Sequence, residues 1–498
     1  MIFNSLTYIL FLTLCCVLYW VLPRQPRLWM IFIASIVFYG FWNFWFVPLL
    51  LFSVVVDFCA GLWIERLAAG WRRNAVLIGS LSVNLLILGT FKYLVFFVGQ
   101  AEGLARALGI DVGAGFSLPF HIILPLGVSF YTFQSMSYTI DVWRRVTPAV
   151  HEFVLFASYV IYFPQLVAGP ILRAGEVMWQ LDRRPQFQAA DLIAGSRRIL
   201  AGLFLKCVLA DNIAPLVDSG FAGFAPRELG AIDIVVLAFL FGFQIYFDFA
   251  GYSHIALGSA RLMGIRFPEN FNFPYMAPNP REFWRRWHIS LSSWIRDYLY
   301  LPLCGVRGGT RSVDGLDVAG RVGPHPLRRT FALWVTWGLM GLWHGANWTF
   351  VLWGFWHAAV LSVHRLISRI AHREPPAIVG WAFTLPLMML GWIPFRAENI
   401  DTALALWVRV VTPSAWLRPE TQGGGFPFWL ALHRDSYYVA AAVLLLIVAA
   451  WAARNFLMPS MERRPFATAL AEAAAFAVMT PLIFLYLRPI NQFIYFQF

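Results

Sequence analysis

Apolar residues occur along this chain in long blocks separated by short polar turns. The blocks fall at roughly 6–22, 28–46, 48–64, 75–98, 117–140, 151–170, 192–210, 231–260, 330–344, 347–363, 379–394, 437–453 and 467–486. Most approach the roughly 20 residues that a helix needs to cross a hydrocarbon layer. The blocks at 117–140 and 151–170 are the least regular, because Pro119, Pro125, Pro164 and Pro170 interrupt them. Irregular backbone at membrane depth is tolerated only inside protein or along a cavity. The first block has no basic residue before it and no small-residue cleavage site, so it is read as a retained span rather than a signal peptide. The pattern predicts an all-α integral membrane protein in one embedded domain, residues 1–498. No hydrophilic second domain, internal repeat or low-complexity tract interrupts it.

Composition agrees. The chain is 59% hydrophobic and only 13% charged, where a soluble domain carries about 25% charge, and its mean hydropathy is +0.65. The formal net charge of +12 would suggest nucleic acid in a soluble protein. Here the arginines sit in short turns, as the positive-inside rule expects, and no nucleic-acid-binding module is present. Arg24 and Arg27 follow the first block, and Arg66, Arg72 and Arg73 follow the third. That asymmetry predicts an N-terminus outside the cytoplasm. The arginines at 183–184, 197–198, 307–329 and 454–464 then lie inside, and the stretch 412–436 outside. Cys15, Cys16, Cys59, Cys207 and Cys304 fit no metal-binding spacing and are expected to be reduced.

Chemistry concentrates in two places. Arg281 to Tyr300 is dense in Arg and Trp and can be drawn as one helix. On it Trp284, His288, Leu291 and Ile295 form an apolar stripe beside Arg285, Ser292 and Arg296. Such a helix either lies on the membrane surface or dips inward, where Arg281 and Arg285 would meet the phosphates of an anionic donor. The second place is Trp343-His344-Gly345-Ala346-Asn347-Trp348. An ionisable residue among apolar spans is a functional candidate, and imidazole moves protons near neutral pH. Gly341 and Gly345 permit a break or close approach there. A catalytic and a structural His344 are both open on these residues alone. On a continuous helix, His357 would lie about 220° round and about 20 Å along from His344, outside its site. Asp248 is an acid in an apolar run, either paired in the core or part of a proton relay.

Taken together the motifs become specific. They are Asp248-Phe249-Ala250-Gly251-Tyr252-Ser253, Phe267-Pro268-Glu269-Asn270-Phe271, Arg281-Glu282-Phe283-Trp284-Arg285-Arg286-Trp287-His288-Ile289-Ser290-Leu291-Ser292 and Trp343-His344-Gly345. They are joined by the opening Met1-Ile2-Phe3-Asn4-Ser5, the run Phe163–Ile171 and the closing Phe493–Phe498. This set resembles the membrane-bound O-acyltransferase family across essentially the whole chain. It is most similar to the bacterial branch that holds the alginate O-acetyltransferase membrane subunit. The teichoic-acid D-alanyl transfer subunit is a more distant relative.

The resemblance implies a ring of about 11–13 transmembrane or re-entrant helices around a tunnel. It implies His344 as the catalytic histidine and His288 as its supporting partner. Arg281, Arg285, Trp284 and Asn347 are expected to hold the donor, and Asn347 or a backbone N–H to stabilise an oxyanion. No metal or bound cofactor is expected: the donor substrate would be acetyl-CoA or another acetyl thioester. Implied partners are the bilayer and periplasmic polysaccharide O-acetylation proteins, with no nucleic acid. The implied setting is a bacterial inner membrane, with the N-terminus periplasmic. Acetyl transfer to an exported polysaccharide such as alginate is the activity that follows. A different class, an acyl-group channel whose periplasmic partner performs the transfer, fits less well, because the chain lacks the repeated halves usual in transporters.

Overall fold

The structure is a computed structural model of the chain. It describes all residues except 2, 112–122, 168, 184–185, 307–324, 372–374, 418–429, 454–464 and 488–498. Pro119, Arg184, most of the 307–329 loop, residues 418–429 of the 412–436 stretch, the 454–464 arginines and the closing motif therefore lie outside the described residues.

Among the described residues the chain is helical, without a strand. The first half comprises α1 (Leu6–Val21), α2 (Arg24–Asn43), α3 (Val47–Arg66), α4 (Trp71–Leu88), α5 (Leu94–Ala107), α6 (Val128–Trp143), α7 (Phe153–Ile161), α8 (Ala174–Asp182), α9 (Ala189–Leu203) and α10 (Asp211–Gly223). The second half comprises α11 (Ala231–Leu262), α12 (Pro280–Arg286), α13 (Ile289–Ile295), α14 (Leu301–Leu303), α15 (Pro326–His344), α16 (Trp348–Ala371), α17 (Ala377–Arg396), α18 (Ile400–Val411), α19 (Arg434–Ala452) and α20 (Pro465–Leu485). Eight stretches among the described residues are long and apolar enough to cross a bilayer. Some join two helices: Arg24–Arg66 takes in α2 and α3, and Trp71–Ala107 takes in α4 and α5. A multi-pass membrane protein is the result.

Two departures from the sequence pattern matter. Within the block 117–140 the helix α6 starts only at Val128, after Gly127 takes a left-handed turn at φ 68°. Helix α7 is nine residues long and stops at Ile161, short of Pro164. The prolines thus shorten both segments, because proline lacks an N–H and disfavours helix at the residue before it.

The long α11 is the centre of the bundle, buried along most of its 32 residues. It crosses α9 where glycines face each other: a Cβ on Gly202 would stand 2.5 Å from the Gly251 carbonyl oxygen, and one on Gly258 2.6 Å from that of Gly195. Small residues at such crossings let backbones approach without a solvent-driven hydrophobic term. The same device joins α15 to α16, where a Cβ on Gly354 would stand 2.1 Å from the Trp337 oxygen. Asp248 on α11 pairs with Lys206 at 2.6 Å, and Lys206 also meets Asp211 at 2.9 Å, all three side chains buried. The five cysteines are free.

Candidate functional site

The Arg281–Tyr300 segment is not one helix. It folds as α12, a break at His288, then α13, and Arg296–Tyr300 continues as a π-helical turn. His288 sits at the break with φ 40° and ψ 59°, a left-handed conformation that costs a non-glycine residue energy and has to be held by its surroundings. Asn270 supplies the hold. Its carbonyl accepts from Ile289 N at 2.9 Å, and its side-chain oxygen accepts from Ser290 Oγ at 2.6 Å. The stripe of Trp284, His288, Leu291 and Ile295 therefore does not exist as drawn. Helical periodicity cannot report a single left-handed residue.

The break turns His288 into the protein. Its side chain is buried, with the Phe249 ring 4.6 Å away and Trp343 at 6.3 Å. Neither ring nitrogen has a hydrogen-bond partner among the described residues. His288 lies on no membrane-spanning helix, and burial pushes its imidazole down to about 3. It is neutral at physiological pH, able to donate from one nitrogen and accept at the other.

His344 is the last residue of α15, and Gly345 leaves the helix in extended backbone. The side chain is 4% exposed. Trp343 and Trp353 pack against its ring at 4.8 Å each, and Phe395 at 5.1 Å. The chain reverses after Gly345, and α16 runs back along α15. That reversal overturns the placement of His357 away from His344, which assumed a continuous helix. His357 is 1% exposed and packs on the other neighbour of His344, with Trp353 again 4.8 Å away and Trp284 also at 4.8 Å. Three imidazoles thus stand in one aromatic cage, Trp343 lying between His288 and His344 and Trp353 between His344 and His357. The indole N–H groups of Trp284, Trp343 and Trp353 and both nitrogens of His357 have no hydrogen-bond partner among the described residues. Buried polar atoms are rarely left so in a finished core; unpartnered ones call for a water or a ligand.

The other residues singled out from the sequence are placed as follows. Trp284 is in the cage, beside His357. Arg285 is on the exposed side of α12, paired with Glu282 at 2.8 Å, and Arg281 is half-buried one turn earlier. Asn347 lies in the turn between α15 and α16. Its side-chain oxygen accepts from Thr349 N and its amide donates to the Glu398 carbonyl, both at 3.1 Å. It works there as a cap for α16. Sequence reasoning missed Trp353 and His357 as members of the site. The signal available was the glycine pair Gly341 and Gly345, which permitted the reversal but did not require it.

Among the described residues, no group of three or more His, Cys, Asp or Glu side chains converges on a point where a metal could sit. One cavity of about 390 Å³ lies between α9 and α20 and another of about 210 Å³ beside Arg198, Arg261 and Glu269. Neither is lined by His288 or His344, so neither traces the tunnel that the resemblance implies.

Residues 133–313 match the membrane-bound O-acyltransferase family. The chain is 36% identical over 488 residues to the probable alginate O-acetylase AlgI of Azotobacter vinelandii, covering 95% of this chain and 89% of that protein. It is 38% identical over 432 residues to its namesake in Pseudomonas aeruginosa, covering 84% and 76%. A peptidoglycan O-acetyltransferase of Helicobacter pylori is 36% identical over 411 residues, covering 77% and 73%. With relatives this similar along nearly its whole length, the chain belongs to the membrane-bound O-acyltransferase family and is an acyltransferase.

Proposed function

We propose that this protein is an O-acetyltransferase that takes acetyl from a cytoplasmic thioester, acetyl-CoA or a carrier-bound equivalent, for O-acetylation of an exported polysaccharide such as alginate. The substrate class rests on the names of the relatives, alginate O-acetylases and a peptidoglycan O-acetyltransferase. The reaction rests on one observation: a buried histidine at a broken helix end, walled by indoles and flanked by two further imidazoles.

His344 acts as general base. It takes the proton of the acceptor hydroxyl as that oxygen attacks the thioester carbonyl. A carbon–oxygen bond forms, and the carbonyl electrons move onto its oxygen. As the intermediate collapses the carbon–sulfur bond breaks, and the imidazolium returns the proton to the departing thiolate. The oxyanion is met by an uncommitted indole N–H, from Trp343 or Trp353, because the Asn347 amide is used in its turn. His288, neutral and fixed by the Asn270 contacts, orients the reacting groups. The aromatic walls keep water from hydrolysing the thioester.

Arg281, Arg285 and Trp284 form the donor end of the site. Residues 1–498 act as one embedded domain, with a tunnel joining a cytoplasmic donor side to a periplasmic acceptor side. The N-terminus is periplasmic, the membrane is a bacterial inner membrane, and the partners are periplasmic polysaccharide O-acetylation proteins.

The test is direct. The purified chain in lipid nanodiscs is given acetyl-CoA and a soluble oligosaccharide, and free thiol and acetyl ester are measured. Ester formation that His344→Ala abolishes supports the assignment. Thiol release without ester, or no turnover unless a periplasmic protein is added, would move the transfer step to a partner.

A further inference from the structure

The chain has 36 arginines but only two lysines, Lys92 and Lys206. Every cation in the surface turns is therefore an arginine, while both lysines lie inside membrane helices. Both also sit on π-helical turns, Gly89–Tyr93 and Phe204–Ala210. Such single-turn bulges are uncommon and gather at functional sites. Lys206 is accounted for by its two carboxylates. Lys92 faces no carboxylate within ion-pair distance among the described residues. Its Nζ donates to the carbonyl oxygens of Trp343 and His344, the latter at 3.1 Å, and lies 5.6 Å from the Trp343 ring. The next residue, Tyr93, donates from its hydroxyl to the Leu342 carbonyl at 2.9 Å.

Two adjacent side chains thus take up three consecutive carbonyls, those of Leu342, Trp343 and His344. These belong to the last turn of α15, where no further turn of helix supplies N–H partners. Water does that work at an exposed helix end, but not inside a membrane bundle. A lysine suits the place. Its amine is compact and donates in several directions, whereas a guanidinium is a planar fork built for paired coplanar acceptors. The helix end that Lys92 holds is the one that carries His344, and the next residue is the extended Gly345.

We propose that Lys92 is a positioning residue for acyl transfer. With Tyr93 it pins the end of α15, so that the His344 imidazole keeps its place between Trp343 and Trp353 and its distance to the acceptor. Lys92 acts through His344 and touches neither substrate. The proposal rests on His344 being the base.

The experiment uses the full chain in nanodiscs with acetyl-CoA and a soluble oligosaccharide, and measures kcat, KM for acetyl-CoA and thermal stability. The variants are Lys92→Met, which keeps the stem and removes the donor, Lys92→Arg, Tyr93→Phe and His344→Ala. Misplacing a catalytic group by about 1 Å can cost about 100-fold. Lys92→Met is expected to lower kcat by about that factor, with KM within threefold of the wild type. Lys92→Arg should recover part of the loss, and Tyr93→Phe should lower kcat by roughly three- to tenfold. If Lys92→Met does not fold, the same split of kcat from KM in Lys92→Arg and Tyr93→Phe supports the proposal, and unchanged kcat in both overturns it. A Lys92→Met protein with kcat within threefold of wild type, or with only KM raised, overturns it. If His344→Ala is inactive beside a fully active Lys92→Met, the positioning role alone falls. If His344→Ala keeps the wild-type rate, both assignments fall.

Discussion

Two regions of this molecule bury titratable groups behind close glycine crossings, and they treat those groups in opposite ways. At the α9–α11 crossing, Lys206 is matched by Asp211 and Asp248 at 2.9 and 2.6 Å. At the α15–α16 crossing, His357 and the indoles of Trp353 and Trp284 are as deeply buried but have no hydrogen-bond partner among the described residues. A saturated cluster fixes one arrangement and resists change. An unsaturated one keeps donors and acceptors for something that arrives later. The first is a fastening; the second is where the proposed chemistry is placed.

The sharpest test of that contrast is His344→Ala. Loss of a general base costs a factor of about 10²–10⁴, and acetyl ester formed per amount of folded protein should fall by that much. Thermal stability should change little, because the histidine lies beside unsatisfied groups rather than inside a saturated network. Lys206→Met should do the reverse. Removing one member of a buried ion cluster costs about 3–5 kcal/mol, so the folded, monodisperse fraction extracted from membranes should drop sharply. A Lys206→Met protein that is stable but inactive would place the lysine in the reaction instead.

Gly354→Ala tests the crossing that assembles the cage. Its Cβ would stand 2.1 Å from the Trp337 oxygen, and overpacking of this kind costs about 1–3 kcal/mol. Stability and activity should fall together. His357→Phe retains the aromatic volume and removes both nitrogens. Activity should fall about tenfold, less than for a lost base, at unchanged stability. A wild-type rate would make His357 merely part of the wall. The smallest effect belongs to Arg285→Ala. Its pair with Glu282 is partly exposed, and such pairs contribute about 0–1 kcal/mol. The fold should be untouched, and a donor KM raised a few-fold at constant kcat would mark loss of ground-state donor binding.

The histidines show how far the sequence could be read. His344 and His288 stood out because imidazoles are conspicuous in apolar surroundings and their motifs are distinctive. His357 was excluded by a helix calculation that was sound for continuous backbone and failed because the backbone reverses at Gly345. The Arg281–Tyr300 helix failed in the same way at His288, where a left-handed residue supported by Asn270 interrupts the period. Lys92 was legible in principle, since a chain with 36 arginines and two lysines marks the lysines. Its partners were not, because carbonyl oxygens leave no trace in side-chain identity.

By itself the sequence determined the solvent and the class. Apolar blocks of membrane length, arginines almost absent from those blocks and a family-specific set of motifs are local properties of the chain, and each can be counted along it. Tertiary structure decided which histidines meet and what holds them. Those outcomes depend on single backbone reversals and on contacts between residues such as Lys92 and His344, 252 positions apart. A one-residue change in backbone conformation redirects every side chain after it while leaving hydrophobic periodicity almost unaltered, so the pattern that names the fold cannot also locate the site.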